Sequence, residues 1–227
     1  MEPNKRKKSF VVSVEGNIGS GKSSMLKYFE NDQVTAVPEP VDEWQDLNGH
    51  NLLHKLYEDP NRWSFQFQSY IQLTRLRCLR SPTDRRVKLL ERSIQNNRFC
   101  FLELAKREKS LSSPELNVLY SWYDFLDDKM GLDLDLIVYL RTDPEVSHER
   151  MRKRGRDEES SVPLEFLTNL HQVYEDWLID QKFGPPEVPV MVMDANQSKE
   201  EIFQKYLDNQ DKLLGYEPLK SGHIVYC

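Results

Sequence analysis

Residues 10–24 read FVVSVEGNIGSGKSS, and the fold follows from how this stretch is understood. Phe10 to Val14 form an apolar, largely β-branched run, the pattern of a buried strand. Gly16-Asn17-Ile18-Gly19-Ser20-Gly21-Lys22-Ser23 then fits the phosphate-loop pattern GxxxxGK(S/T) without a mismatch, and Ser24 continues into a helical pattern. Glycines at 16 and 21 permit backbone conformations that a side chain would block, so the loop can curl its N–H groups inward. The helix starting near Gly21 adds the positive end of its dipole. Lys22 is placed to reach the β- and γ-phosphates, and the Ser23 hydroxyl to ligate magnesium. Strand, motif and helix in this order predict that residues 16–24 bind a nucleoside triphosphate.

The same rhythm continues along the chain. Strands are expected at 34–37, 87–90, 134–140 and 188–193, and helices at 52–57, 63–79, 97–107, 115–129, 163–181 and 200–207. With the first strand this makes a five-stranded parallel sheet flanked by helices, an α/β fold of the P-loop kinase kind, wound right-handedly. Phe67, Tyr70, Ile71, Thr74 and Cys78 recur at helical spacing as one inward face, with Gln68 and Arg75 at its edge. No repeat or long linker divides the chain, so a single domain over 1–227 is expected. Residues 1–8 read as a basic arm, and about 209–227 as an irregular, peripheral tail.

Composition excludes several classes. A net charge of −6 argues against a general nucleic-acid binder, and no apolar run is long enough to span a membrane. Cys78, Cys100 and Cys227 lack metal-like spacing and are odd in number, which suits free thiols in a reducing compartment. Cytoplasm is the expected location. The Lys5-Arg6-Lys7-Lys8 run reads first as a solvated arm, with a nuclear address as its alternative, and a processed mitochondrial precursor stays open.

Triphosphate binding alone does not choose between hydrolysis, a switch and a kinase. Pro38-Glu39-Pro40 and Glu91-Arg92 both follow expected strands, at the rim where ligands of open α/β sheets bind. A kinase needs a carboxylate to take the acceptor proton and cations on the passing phosphoryl group. Glu39 suits the first role. Arg150-Met151-Arg152-Lys153-Arg154-Gly155-Arg156 holds five cations in seven residues, interrupted by Gly155, and suits an arginine-rich lid over the phosphates. The Asn-Lys-x-Asp stretch by which a guanine switch reads its base is missing.

These residues carry a resemblance. EGNIGSGKSS (15–24), PEPVDEW (38–44), NLLHKLYEDPNRW (51–63), FQSYIQLTRL (67–76), ERSIQNNRFCF (91–101), YLRTDPEVSHERMRKRGRDEE (139–159) and VPLEFLTNLHQVYEDWL (162–178) resemble the non-bacterial-type deoxyribonucleoside kinases. That family includes the insect multisubstrate enzyme, mitochondrial thymidine kinase, and the deoxycytidine and deoxyguanosine kinases. The resemblance implies transfer of the γ-phosphate of ATP, with magnesium, to the 5′-hydroxyl of a deoxynucleoside in nucleotide salvage. Glu39 would be the base, with Arg92 beside it, and Lys22, Arg154 and Arg156 would complete the catalytic set. Arg150 and Arg152 would support the lid on the donor side, and Glu91 would join Ser23 near the metal. Tyr57 and Glu159 would hold the 3′-hydroxyl. Gln68 would read the base edge between Trp44 and Phe101, with Leu53 and Phe67 lining the pocket.

Ile71, Arg75 and Asn97 depart from the small or apolar residues of the thymidine-preferring members. Arg75 with Asn97 looks like part of the arginine–acid pair of the deoxycytidine and deoxyguanosine kinases. Deoxyadenosine or deoxycytidine is therefore expected over thymidine. Phe166 replaces a tyrosine and loses a pocket hydroxyl. The alternatives are a thymidine/deoxycytidine kinase of mitochondrial type and, further off, a nucleoside monophosphate kinase. A homodimer through the helices after Trp63 and Ser113, and feedback inhibition by a deoxynucleoside triphosphate, are likewise implied by likeness.

Overall fold

The computed structural model describes residues 9–227, so the expectation for the basic arm at 1–8 lies outside the described residues. The chain forms β1 (Phe10–Glu15), α1 (Lys22–Phe29), β2 (Val34–Val37), α2 (Val41–Gln45), α3 (Leu52–Glu58) and α4 (Pro60–Arg80). Next come β3 (Val87–Glu91), α5 (Ile94–Asn96), a π-turn (Asn97–Phe101), α6 (Leu102–Arg107) and α7 (Ser113–Met130). They are followed by β4 (Leu136–Arg141), α8 (Pro144–Arg154), a 3-10 turn (Asp157–Glu159), α9 (Leu164–Tyr174) and a second π-turn (Glu175–Ile179). The chain closes with β5 (Val190–Asp194), α10 (Lys199–Asp208), α11 (Gln210–Leu213) and β6 (Ile224–Tyr226).

All strand pairings are parallel, in the order β2-β3-β1-β4-β5-β6. The sheet therefore has six strands where five were expected. Ile224-Val225-Tyr226 is too short to be read as a strand, and it becomes one only because β5 offers a free edge, where Val190 pairs with Ile224. Nor is the tail peripheral. Leu213 and Leu214 are buried in the core, and Lys205 Nζ donates to the Cys227 carbonyl at 3.0 Å. β4 starts two residues later than expected because the Asp135 carboxylate accepts from Val11 N–H at 2.8 Å, in place of a ladder partner.

Alternation along each strand sends successive side chains to opposite faces. Val12 and Val14 pack with Met25, Leu26 and Phe29 of α1 and with Tyr206 of α10. Val11, Ile137 and Val192 pack on the other face with Leu104 of α6 and Leu167, Leu170 and Val173 of α9. Each fully buried side chain of this size contributes ~1.5–3 kcal/mol. Two helical layers thus hold the sheet, and the carboxyl ends of β1, β2 and β3 meet at one rim.

Candidate active site

The loop after β1 takes its shape from three glycines rather than two. Gly16, Gly19 and Gly21 have φ of 140°, 80° and 98°. A Cβ on Gly16 would lie 2.7 Å from the Leu140 carbonyl oxygen, and one on Gly19 would strike the backbone of Ser147 in α8. The loop is thereby wedged beneath the helix that carries the arginine run. Asn17 anchors it further, donating to the Leu167 carbonyl at 2.8 Å while its own oxygen accepts from Ile18 N–H. Lys22 Nζ donates to the carbonyls of Asn17 and Gly16 at 2.7 and 3.1 Å. Burial, reinforced by Arg92, lowers its ammonium to about 7. Ser23 Oγ lies 2.9 and 3.0 Å from the two carboxylate oxygens of Glu91.

Glu39 follows β2 and is held from both sides. Arg75 Nη2 donates to its Oε1 and Arg92 Nη1 to its Oε2, each at 2.7 Å. Burial by itself would raise the Glu39 carboxyl. Arg92, then Arg75 and Lys22, outweigh it and hold the group at about 2. Arg92 follows β3 in the left-handed region, with φ of 60°. That conformation costs a non-glycine residue ~1–2 kcal/mol and marks a site that needs the side chain aimed. Its fork also reaches the Tyr174 hydroxyl and the Gly16 carbonyl, both at 3.1 Å. One guanidinium therefore ties the glycine loop after β1 to the Glu39 carboxylate.

A cleft of about 1150 Å³ runs from Lys22 and Ser23 past Glu39 and Arg92 to Trp44, Phe67 and Gln68. Leu53, Tyr57, Ile71, Arg75, Phe101 and Glu159 also line it, as the sequence led us to expect. Trp44 is fixed by its indole N–H on Thr74 Oγ1 at 3.1 Å and by an edge-on contact with Phe67. Phe101 lies beneath the guanidinium groups of Arg92 and Arg75, at 5.2 and 5.5 Å. Burial and the nearby Glu159 raise the Tyr57 phenol, so it stays a donor at neutral pH.

Other expected site residues are placed differently. Arg150 turns away from the cleft and donates to the carbonyls of Ala195, Asn196 and Gln197, bracing the loop after β5. Arg152 and Ser24 are exposed and do not line the cleft. Arg154 and Arg156 do line it, and both are paired to Glu159. The expected Arg75–Asn97 pair is not made. Arg75 bonds Asn96 Oδ1 at 2.9 Å and Glu39, while Asn97 stands behind the wall and bonds Gln68 at 2.6 Å. Asn97 opens the π-turn and is fully buried, so its amide meets Gln68 of α4 instead of the Arg75 guanidinium.

Three supporting residues escaped the sequence reading. Glu15 Oε1 accepts from Ser13 Oγ, Ser93 N–H and Ser93 Oγ, and Ser93 in turn caps α5. A lone acid ending an apolar strand was its available signal. Tyr174 links Arg92 to Asn96, an arrangement visible only once α9 is docked.

A family model described as deoxynucleoside kinase matches residues 12–214. The chain belongs to the deoxynucleoside kinase family. It is an ATP-dependent kinase of nucleoside salvage. The kinase is 40% identical to the mitochondrial thymidine kinase 2 of Macaca fascicularis, over 97% of this chain and 83% of that one. Identity to the Homo sapiens mitochondrial thymidine kinase 2 is also 40%, over 96% and 83%. The Homo sapiens deoxycytidine kinase is 31% identical, over 89% of this chain and 90% of its own.

Proposed function

We propose that this kinase transfers the γ-phosphate of ATP to the 5′-hydroxyl of a 2′-deoxynucleoside, with Glu39 as the group that accepts the hydroxyl proton. The observation that carries this is Arg92, which touches both Glu39 and the Gly16 carbonyl of the phosphate loop. An alcohol bound to Glu39 is therefore held next to the triphosphate. Each carboxylate oxygen keeps a free lone pair after bonding its arginine, so the hydroxyl can dock without dismantling the pair. A carboxyl near 2 is a weak base. In a loose phosphoryl-transfer transition state little proton removal is needed early, so positioning outweighs basicity. Lys22, Arg154 and Arg156 would take the charge of the passing phosphoryl group.

Ser23 and Glu91 fit a magnesium ion. They bring hydroxyl and carboxylate oxygens together at the mouth of the loop, and magnesium draws its remaining ligands from water and phosphates. When bound it would neutralise charge on the triphosphate. Gln68 would read the base, with Trp44 and Phe101 packing on it, and Tyr57 and Glu159 would hold the 3′-hydroxyl. Ile71 and Arg75 line the cleft at positions where thymidine-preferring members would carry small or apolar side chains, which supports deoxyadenosine or deoxycytidine over thymidine. The competing reading, a thymidine and deoxycytidine kinase of mitochondrial type, draws on the 40% relatives. Those relatives also make the mitochondrion a candidate compartment beside the cytoplasm.

The whole chain would act as one kinase domain and pair with a second copy. Leu73 on α4 and Val118, Trp122 and Phe125 on α7 are exposed apolar side chains on the two helices concerned. A deoxynucleoside triphosphate could span the cleft, its base in the acceptor pocket and its phosphates on the loop, and so inhibit. No helix among the described residues is long and apolar enough to cross a membrane. Labelled ATP with each of the four deoxynucleosides, and with their monophosphates, tests the reading. Label should appear in 5′-monophosphates, with deoxyadenosine or deoxycytidine giving the highest kcat/KM. Label only in diphosphates would overturn the reaction, and thymidine as the best substrate by about tenfold would overturn the preference.

A further inference from the structure

Asn97 is fully buried at the first position of the π-turn and does not line the cleft, whereas Gln68 on α4 does. Asn97 Nδ2 donates to Gln68 Oε1 at 2.6 Å, and Asn97 Oδ1 is a buried acceptor with no partner among the described residues. Two side-chain amides thus meet, one at the cleft and one behind it. An amide carries a donor and an acceptor of nearly equal size. If both amides turn over together, Gln68 Nε2 donates to Asn97 Oδ1, and the number of hydrogen bonds between them is unchanged. One hydrogen bond joins the pair in either arrangement, so a ligand that bonds Gln68 at the cleft can select between them.

We infer that the Asn97–Gln68 pair is a reversible relay that lets the pocket accept bases with either order of donor and acceptor along their pairing edge. This rests on Gln68 being the group that meets the base. Adenine and cytosine place an amino donor beside a ring-nitrogen acceptor, whereas guanine, thymine and uracil place a carbonyl beside a ring N–H. Gln68 must present opposite orders to the two kinds. A carboxylate at 97 could only accept, which would pin Gln68 Nε2 toward it and serve one order alone. An apolar residue would leave Gln68 free to turn, without support. Asn97 is the side chain that supports both orders, and it does so without touching the base, as a positioning residue. It governs edge reading, while Ile71 and Arg75 govern room for the methyl.

Deoxycytidine and deoxyuridine differ at that edge and not in a methyl group, so they are the probes. In the 15N-labelled full chain, the side-chain amide resonance of Asn97 should differ between the two complexes. The same position in both overturns the relay. In kinetics, the wild type should phosphorylate both. N97D should change the deoxycytidine-to-deoxyuridine ratio of kcat/KM by about tenfold or more, and N97L should leave it within about threefold of wild type. A folded N97D with the wild-type ratio, or an N97L ratio that moves as far as that of N97D, contradicts the inference. A wild type that phosphorylates neither defeats the functional reading first, and the relay with it. The resonance measurement stands even where N97D fails to fold.

Discussion

At the scale of single residues, the site is an arrangement of charges that hold each other in place. Glu39 carries two arginines, so its carboxyl sits at about 2, below its ordinary 4.5. A depressed carboxyl stabilises the fold above pH 4.5, and that contribution is lost as pH falls through about 2. Glu39 therefore stays ionised throughout the working range. Lys22 behaves oppositely, its ammonium lowered to about 7 by burial and Arg92. In the free kinase it grows neutral as pH rises above about 7, and a triphosphate bound against it would draw the proton back. Affinity for ATP should then fall by up to about tenfold per unit between pH 7 and 9. Calorimetry in buffers of different ionisation enthalpy should show proton uptake; a flat affinity over that range contradicts the assignment. Lys22, Ser23 and Glu39 were legible in the sequence because motif and strand ends fix their backbone. The partners of Arg75 and Asn97 were not, since they depend on how α4 docks against the segments after β2 and β3.

At the scale of elements, the phosphate loop and the arginine helix are one unit. Gly19 has no room for a Cβ because Ser147 of α8 presses on it. Gly19→Ala must displace α8 or distort the loop, and a positive φ adds strain. Loss of ATP binding should accompany a fall in Tm, at a cost of roughly 1–3 kcal/mol. Wild-type ATP affinity in a folded G19A protein would show that the contact is slack. Arg154 of α8 and Arg156 beyond it both rest on Glu159. Expected strand and helix positions held to within a few residues, because alternation and helical spacing are local. Asp135 at the start of β4 and the two π-turns were illegible, since a side chain replaces a ladder bond in one and an extra residue slips into a helix in the others.

At the scale of the whole molecule, six parallel strands bring three chain segments to one rim, and the missing strand β6 was unreadable because three residues form it only against a ready edge. Trp122 and Phe125 meet edge to face on the surface of α7, 6.1 Å apart. If they cover a second copy, Trp122→Glu should convert a dimer into a monomer by light scattering while the monomer keeps its fold; a monomeric wild type contradicts this. In the proposed reaction the rim would present Glu39 to an alcohol beside the triphosphate. Transfer from ATP to deoxycytidine by Glu39→Gln, with ATP affinity measured on the same protein, tests it most directly. We predict unchanged ATP binding and a loss in kcat of about 100-fold or more. A folded E39Q kinase that binds ATP and turns over at the wild-type rate would contradict the account.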